Sequence, residues 1–165
     1  MTPTLHIRSH GPEETQAIGE VIGRQSAPGD IYLLAGPLGS GKTCLTQGIG
    51  RGLGVPGYVR SPTFVLMTTH QGRLTLYHRD LDLIGEPEEA WDLGVEEQLS
   101  GQGVCVVEWA DRAAKVFPSS CCWINLDYGP GESDREVALS PDAPQYNPLL
   151  KSLALAFPPP VESGP

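Results

Sequence analysis

The stretch GPLGSGKT, residues 36 to 43, sets three glycines ahead of a lysine and a threonine. Gly36, Gly39 and Gly41 allow a backbone to curl until successive N–H groups aim at one anion, and a helix starting near Lys42 adds the positive end of its dipole. In such a loop Lys42 reaches β- and γ-phosphate oxygens as a point charge, and the Thr43 hydroxyl is placed one step on to ligate Mg²⁺. The expected ligand is a nucleoside triphosphate with magnesium, held along Gly36, Pro37, Leu38, Gly39, Ser40, Gly41, Lys42, Thr43 and Cys44. Only three lysines occur in the chain, and one falls here.

A second acid has to hold the metal or its water. Glu108 closes the apolar run VCVV, and such a strand lying beside the glycine-loop strand would deliver its carboxylate to the phosphate end of a sheet. Asp80 follows another strand, where it can orient a water or contact magnesium, or simply open an acidic surface. Ser61-Pro62-Thr63 reads either as a γ-phosphate sensor or as a strand start fixed by proline. Arg60, Arg79 and Arg112 could each stabilise a transferring phosphoryl group, and spacing does not choose among them. His6, His10, His70 and His78 form no metal-ligand spacing; His78 stands out only for its nearness to Asp80.

The elements that must position these groups are visible as periodicity. TLHIR reads as a strand, and GPEETQAIGEVIGRQS as a helix with Ser9 as its cap. DIYLLAG is a strand running into the glycine loop, and KTCLTQGIGRGLGV a helix carrying Leu45, Ile49 and Leu53 on one side, so the motif has the strand–loop–helix setting it requires. SPTFVLMTTH and RLTLYHRDL read as a hairpin turning at Gln71-Gly72. An acidic helical region is expected from Glu86 to Leu99, then the strand VCVVEW, then one or two helical turns in DRAAKVF stopped by Pro118. CCWINLDYG and REVALSP read as strands joined at Gly129-Pro130-Gly131. Asn147-Pro148 is the expected cap of a last helix bearing Leu149, Leu150, Leu153 and Phe157. The pattern predicts a single α/β domain over residues 1–157 with a mostly parallel central sheet, antiparallel hairpins and helices on both faces, followed by a flexible Pro-rich tail at 158–165.

Composition narrows the function. The formal net charge is −9, and eight of the twenty acids lie between Asp80 and Glu97 with no lysine or arginine among them. A chain that gripped nucleic acid by its phosphates would need a basic face, so direct RNA binding is disfavoured. That acidic stretch is either a solvated helix face or a docking surface for a basic partner. No apolar run approaches the ~18 residues that span a bilayer, and no secretory signal is visible, so a cytoplasmic protein is expected. Cys44, Cys105, Cys121 and Cys122 lack zinc or redox spacing and read as ordinary thiols, the adjacent pair facing opposite sides of a strand.

Taken in order, GPLGSGKT, SPTF at 61 to 64, YHRDL at 77 to 81 and VEW at 107 to 109 resemble the bacterial TsaE ATPases, formerly YjeE, over roughly residues 10 to 140. The resemblance implies a P-loop NTPase fold and a role in making N6-threonylcarbamoyladenosine at position 37 of tRNA. It implies ATP binding and hydrolysis in association with TsaD and TsaB, with tRNA met through those partners. By motif, Lys42 and Thr43 would hold phosphates and magnesium, Glu108 would bind magnesium, and Asp80 would serve hydrolysis. Trp109 would lie near the nucleotide, Ser61 and Thr63 in a γ-phosphate-sensing loop, and Thr15 and Arg135 near adenine. Two departures stand out. Pro37 replaces the family's usual aspartate, at a position that need not donate to phosphate, and Asp82-Leu83 replaces an aromatic-basic pair, which bears on partner contact or hydrolysis.

Two other classes use the same loop. A small-molecule kinase would need an acceptor pocket and a lid with several arginines, which the scattered arginines do not suggest, and a non-hydrolysing adaptor would bind nucleotide only to regulate assembly. A GTP switch lacks its Asn-Lys-x-Asp segment here.

Overall fold

The computed structural model describes residues 4–57, 59, 67–82 and 101–158. Its seven-stranded sheet is built from β1 (Leu5–Ser9), β2 (Ile31–Ala35), β3 (Met67–His70), β4 (Leu76–Asp80), β5 (Val104–Glu108), β6 (Cys122–Tyr128) and β7 (Arg135–Pro141), in spatial order β1-β7-β6-β2-β5-β4-β3. The inner strands β6, β2, β5 and β4 run parallel, while β1, β7 and β3 join antiparallel at the flanks. Both β2 and β5 are buried along their whole length. Covered on both faces, a parallel strand has no polar side to alternate with, which is why IYLLA and VCVV read as unbroken apolar runs.

Parallel pairing has a direct consequence for the site. The C-terminal ends of β2, β5 and β4 arrive at one edge of the sheet, with Asp80 level with Glu108 across the β4–β5 pair and Leu34 level with Glu108 across β2–β5. Three segments distant in sequence thereby converge on the loop that follows β2.

The α-helices among the described residues are α1 (Pro12–Gln25), α2 (Lys42–Gly52) and α3 (Asn147–Ala156). All three cover one face, where Ile18, Ile22, Leu45, Ile49, Leu149 and Leu153 pack on Tyr32, Leu34, Val106 and Ile124. Burying each such aliphatic side chain stabilises the fold by about 1.5–3 kcal/mol. The opposite face, with Ile31, Leu33, Cys105 and Val107, is covered by a 3-10 segment, Ala110–Val116, in place of the α-helical turns expected there. Cys121 belongs to this second cluster and Cys122 to the first, on opposite sides as expected. Burial pushes the Cys105, Cys121 and Cys122 thiols up to about 12.

Two expected caps are corrected. Ser9 is the last residue of β1, and its hydroxyl bonds Gly11 O at 2.8 Å and Thr15 Oγ1 at 2.7 Å; the cap position of α1 is Gly11, with Pro12 opening the helix. Pro12 needs no N–H partner there, and Glu13 and Glu14 suit the positive helix end. Asn147 is already inside α3, behind Tyr146. The hairpin exists, but its connection runs from Gln71 to Thr75 rather than turning tightly at Gln71-Gly72. From this connection Arg73 Nη2 donates to Gly23 O, Arg24 O and Ser26 O at 2.9, 3.3 and 3.0 Å, satisfying carbonyls that the end of α1 leaves open. The acidic region expected from Glu86 to Leu99 and the Pro-rich tail beyond Pro158 lie outside the described residues.

α1 and α2 meet through a glycine face. A β-carbon on Gly19 or Gly23 would stand 2.4 or 2.3 Å from Leu45 O or Ile49 O, and one on Gly48 or Gly52 would stand 2.2 Å from Gln16 O or Glu20 O. The two backbones touch only because these four side chains are absent.

Candidate functional site

The loop between β2 and α2 is shaped by contacts at both ends. Gly36 lies against β6, where a β-carbon would meet Leu126 O at 2.1 Å, and Gly41, at φ 106°, adopts the left-handed turn that launches α2. Only glycine meets both demands without strain. Four successive loop carbonyls are held by donors: Gly36 O and Pro37 O by Lys42 Nζ at 2.7 and 3.0 Å, Leu38 O by the Tyr128 hydroxyl, and Gly39 O by Arg135 Nε at 3.2 Å. The Ser40 hydroxyl is buried with no hydrogen-bond partner among the described residues. An orphaned polar atom in such a loop needs a partner, and a phosphate oxygen would satisfy it.

Lys42 is 5% exposed, with Nζ 3.8 Å from the centre of the Trp109 ring. Burial lowers its pKa, while the carboxylates of Glu108, Asp111, Asp80 and Asp82 pull it back up. Four carboxylates around one lysine leave excess negative charge, which a divalent cation on a bound polyphosphate would offset.

Glu108 is 1% exposed and wholly engaged. Its Oε1 accepts from Thr43 Oγ1 at 2.7 Å, while Oε2 accepts from Thr46 Oγ1 at 3.5 Å and contacts His78 Nε2. Thr43 and Glu108, expected as the metal pair, therefore touch each other. They form an oxygen donor set of the kind hard Mg²⁺ prefers, with room left for phosphate and water ligands. Among the described residues, no group of three His, Cys, Asp or Glu side chains could hold a metal without such help.

Asp80 ends β4 half-buried, its Oδ1 accepting the Asp82 N–H at 2.9 Å. Burial raises its pKa, the Asp82 N–H opposes this, and the charges of Glu108 and Asp82 raise it further. Between its ordinary value and the raised one, the folded chain keeps a proton that the unfolded chain has released. Asp80 therefore costs stability above that window, and the cost disappears as pH falls through it. In metal-free buffer, Asp80→Asn should raise the melting temperature at neutral pH by roughly 1–4 °C. The difference should close by about pH 4. Melting curves of both proteins across pH check this; a gap that widens on acidification contradicts it.

Trp109 is the one non-glycine residue with positive φ among the described residues, at φ 58°. Such backbone strain of about 1–3 kcal/mol persists where surrounding structure enforces it. Here it turns the chain from β5 into the 3-10 segment and lays the indole beside Lys42. Of the three arginines considered for the transferring phosphoryl group, Arg112 approaches this side, its guanidinium 5.3 Å from the Trp109 ring centre and 3.3 Å from Asp82. Arg79 is buried, sharing its side of β4 with Tyr77 rather than with Asp80. Arg60, Ser61 and Thr63 lie outside the described residues.

Two clefts flank the loop. One, of about 310 Å³, is lined by Lys42, Thr43, Asp80, Glu108, Trp109 and Leu38 among others. The second, of about 450 Å³, is lined by Thr15, Gly39, Gly41, Cys44 and Arg135 among others, so Thr15 and Arg135 share a cleft across the loop from Thr43 and Glu108. Tyr128 and Thr46 join the site without having stood out in the sequence; their partners lie 90 and 62 residues away, beyond any local signal. His78 has such a signal: it stands two residues before Asp80 on a strand, hence on the same side.

The model of the family "Threonylcarbamoyl adenosine biosynthesis protein TsaE" matches residues 9–137. The tRNA threonylcarbamoyladenosine biosynthesis protein TsaE of Treponema pallidum is 40% identical over 118 residues, covering 72% of this chain and 87% of the relative. Its namesake from Bacillus subtilis is 37% identical over 151 residues, covering 91% and 94%. The crystal structure of Bacillus subtilis YdiB superposes with a TM-score of 0.79 at 32% identity, covering 94% of this chain and 97% of the other. With its strand–loop–helix motif and the convergence of Glu108 and Asp80 on that loop, the chain belongs to the TsaE family.

Proposed function

We propose that this protein is a Mg·ATP-dependent ATPase subunit in N6-threonylcarbamoyladenosine synthesis on tRNA, working with TsaD and TsaB in the cytoplasm. The observation that carries this reading is the loop at 36–43 with Thr43 Oγ1 2.7 Å from Glu108 Oε1, an acid delivered by the neighbouring parallel strand. The family's description supports the pathway. The net charge of −9 supports partners rather than this chain as the tRNA-binding surface.

In this reading the loop N–H groups and Lys42 bind the β- and γ-phosphates, and Thr43 with Glu108 holds magnesium. When bound, magnesium neutralises charge on the phosphate oxygens. Asp80, at the same edge, orients the attacking water in line, Trp109 walls the site, and Thr15 and Arg135 flank the base. Among the described residues, Arg112 is the arginine beside Trp109, and it is already paired with Asp82. Hydrolysis by the isolated chain is therefore expected to be slow and to be raised by TsaD and TsaB. Steady-state ATP hydrolysis with and without those subunits checks this; fast turnover in isolation would contradict it. Glu108→Gln separates the ATPase from a non-hydrolysing adaptor: the ATPase should lose turnover on the order of 100-fold and with it tRNA modification, whereas an adaptor would keep modification.

A further inference from the structure

We propose that His78 is a positioning residue for Glu108, holding one carboxylate oxygen so that the other faces the metal; this rests on the Mg·ATP reading above. His78 is fully buried on β4, on the same side as Asp80, with Nε2 against Glu108 Oε2. An ionised carboxylate only accepts hydrogen bonds, so the imidazole proton sits on Nε2. The buried Nδ1 has no hydrogen-bond partner among the described residues. The Nε2–H gives Glu108 a donor at the oxygen that Thr43 does not engage.

The geometry assigns the two oxygens different work. Oε2 is occupied by His78 and, at 3.5 Å, by the weaker branch of the one Thr46 hydroxyl proton, which is shared with Lys42 O at 2.9 Å. Among the described residues, Oε1 takes its hydrogen bond from Thr43, at 2.7 Å. Without the His78 bond the carboxylate could rotate about its last torsion and turn Oε1 away from Thr43. Outer partners of this kind tune metal affinity by about 10–100-fold.

The test uses Mn²⁺ in place of Mg²⁺ and a non-hydrolysable ATP analogue with the full chain. Calorimetry in excess EDTA gives the analogue's affinity, and electron paramagnetic resonance of free Mn²⁺ gives metal affinity for the protein–analogue complex. His78→Gln sets an amide N–H near the Nε2 position, whereas His78→Asn, one methylene shorter, and His78→Leu do not reach Oε2. The expected result is Mn²⁺ affinity within about threefold of wild type for His78→Gln and about tenfold weaker or more for the other two. Analogue affinity in EDTA should stay within about threefold throughout. Having two donor-less variants keeps the test decisive where one fails to fold. Equal Mn²⁺ affinity in wild type and a folded donor-less variant overturns the inference while leaving the ATP reading standing. Wild type that binds no analogue, whether in EDTA or with Mn²⁺ present, overturns the ATP reading and the inference with it. Three variants that merely melt lower, with unchanged Mn²⁺ affinity, assign His78 a packing role and overturn the proposal.

Discussion

Lys42→Ala is expected to weaken Mg·ATP binding by on the order of 100-fold or more and to abolish multiple-turnover tRNA modification in a reconstituted assay. Charge-assisted hydrogen bonds are worth about 1.5–3 kcal/mol each, and Lys42 would make two, to β- and γ-phosphate oxygens. In this structure its ammonium is held by the Gly36 and Pro37 carbonyls and the Trp109 face, at the mouth of the loop where a polyphosphate would lie. The loss would be compounded by what remains. Glu108, Asp111, Asp80 and Asp82, the carboxylates that act on Lys42, would face the anion unopposed. Lys42→Arg should not rescue, because a planar fork cannot place one compact charge between two loop carbonyls. Folding should survive, since the lost hydrogen bonds are offset by no longer burying an ammonium. Calorimetric titration with Mg·ATP and the modification assay measure the outcome; near-wild-type affinity in a folded Lys42→Ala protein would refute the phosphate-loop assignment.

The role proposed for Lys42 can be read from the sequence alone, because the chemistry proposed for the glycine loop is local: curl, helix start, lysine and threonine are all within eight residues. Glu108 is legible for a different reason. A strand buried on both faces must be apolar, so an acid at its end announces an edge where polar groups gather. The dependence on strand pairing explains the rest. Nothing near His78 in sequence says that Oε2 of a residue thirty positions on lies within reach. Nothing near Tyr128 says that it ties down Leu38 O. The expected caps fail because Ser9 and Asn147 have the right side chains in the wrong place: β1 runs through Ser9 to pair with Arg135, and Tyr146, buried under β2, moves the start of α3. Tertiary pairing overrides local preference in both cases.

Gly48→Ala should destabilise the protein by at least about 2 kcal/mol, lowering its melting temperature by roughly 4–12 °C. Helix propensity alone argues the opposite, since alanine is favoured over glycine inside a helix by about 1 kcal/mol. The geometry decides between them. A β-carbon at Gly48 would lie 2.2 Å from Gln16 O and 2.9 Å from Gln16 Cα, so relief requires the backbones of α1 and α2 to part. Gly19, Gly23 and Gly52 face the same seam, and parting at one site loosens all four. Side chains bridging the seam, Gln16 to Gln47 at 3.0 Å and Arg51 to Glu20 at 3.1 Å, would be stretched with it. The seam also reaches the site, because a β-carbon at Gly41 would lie 3.6 Å from Thr15 Cγ2, so α1 lies directly against the glycine loop. Gly48→Ala should therefore weaken nucleotide binding although residue 48 is not among those lining either cleft. Gly11→Ala is the matched control, since a β-carbon there meets nothing within 4 Å. Thermal melts of the two variants against wild type give the answer. A Gly48→Ala protein as stable as wild type would mean that helix propensity, and not the contact between the two backbones, governs this seam.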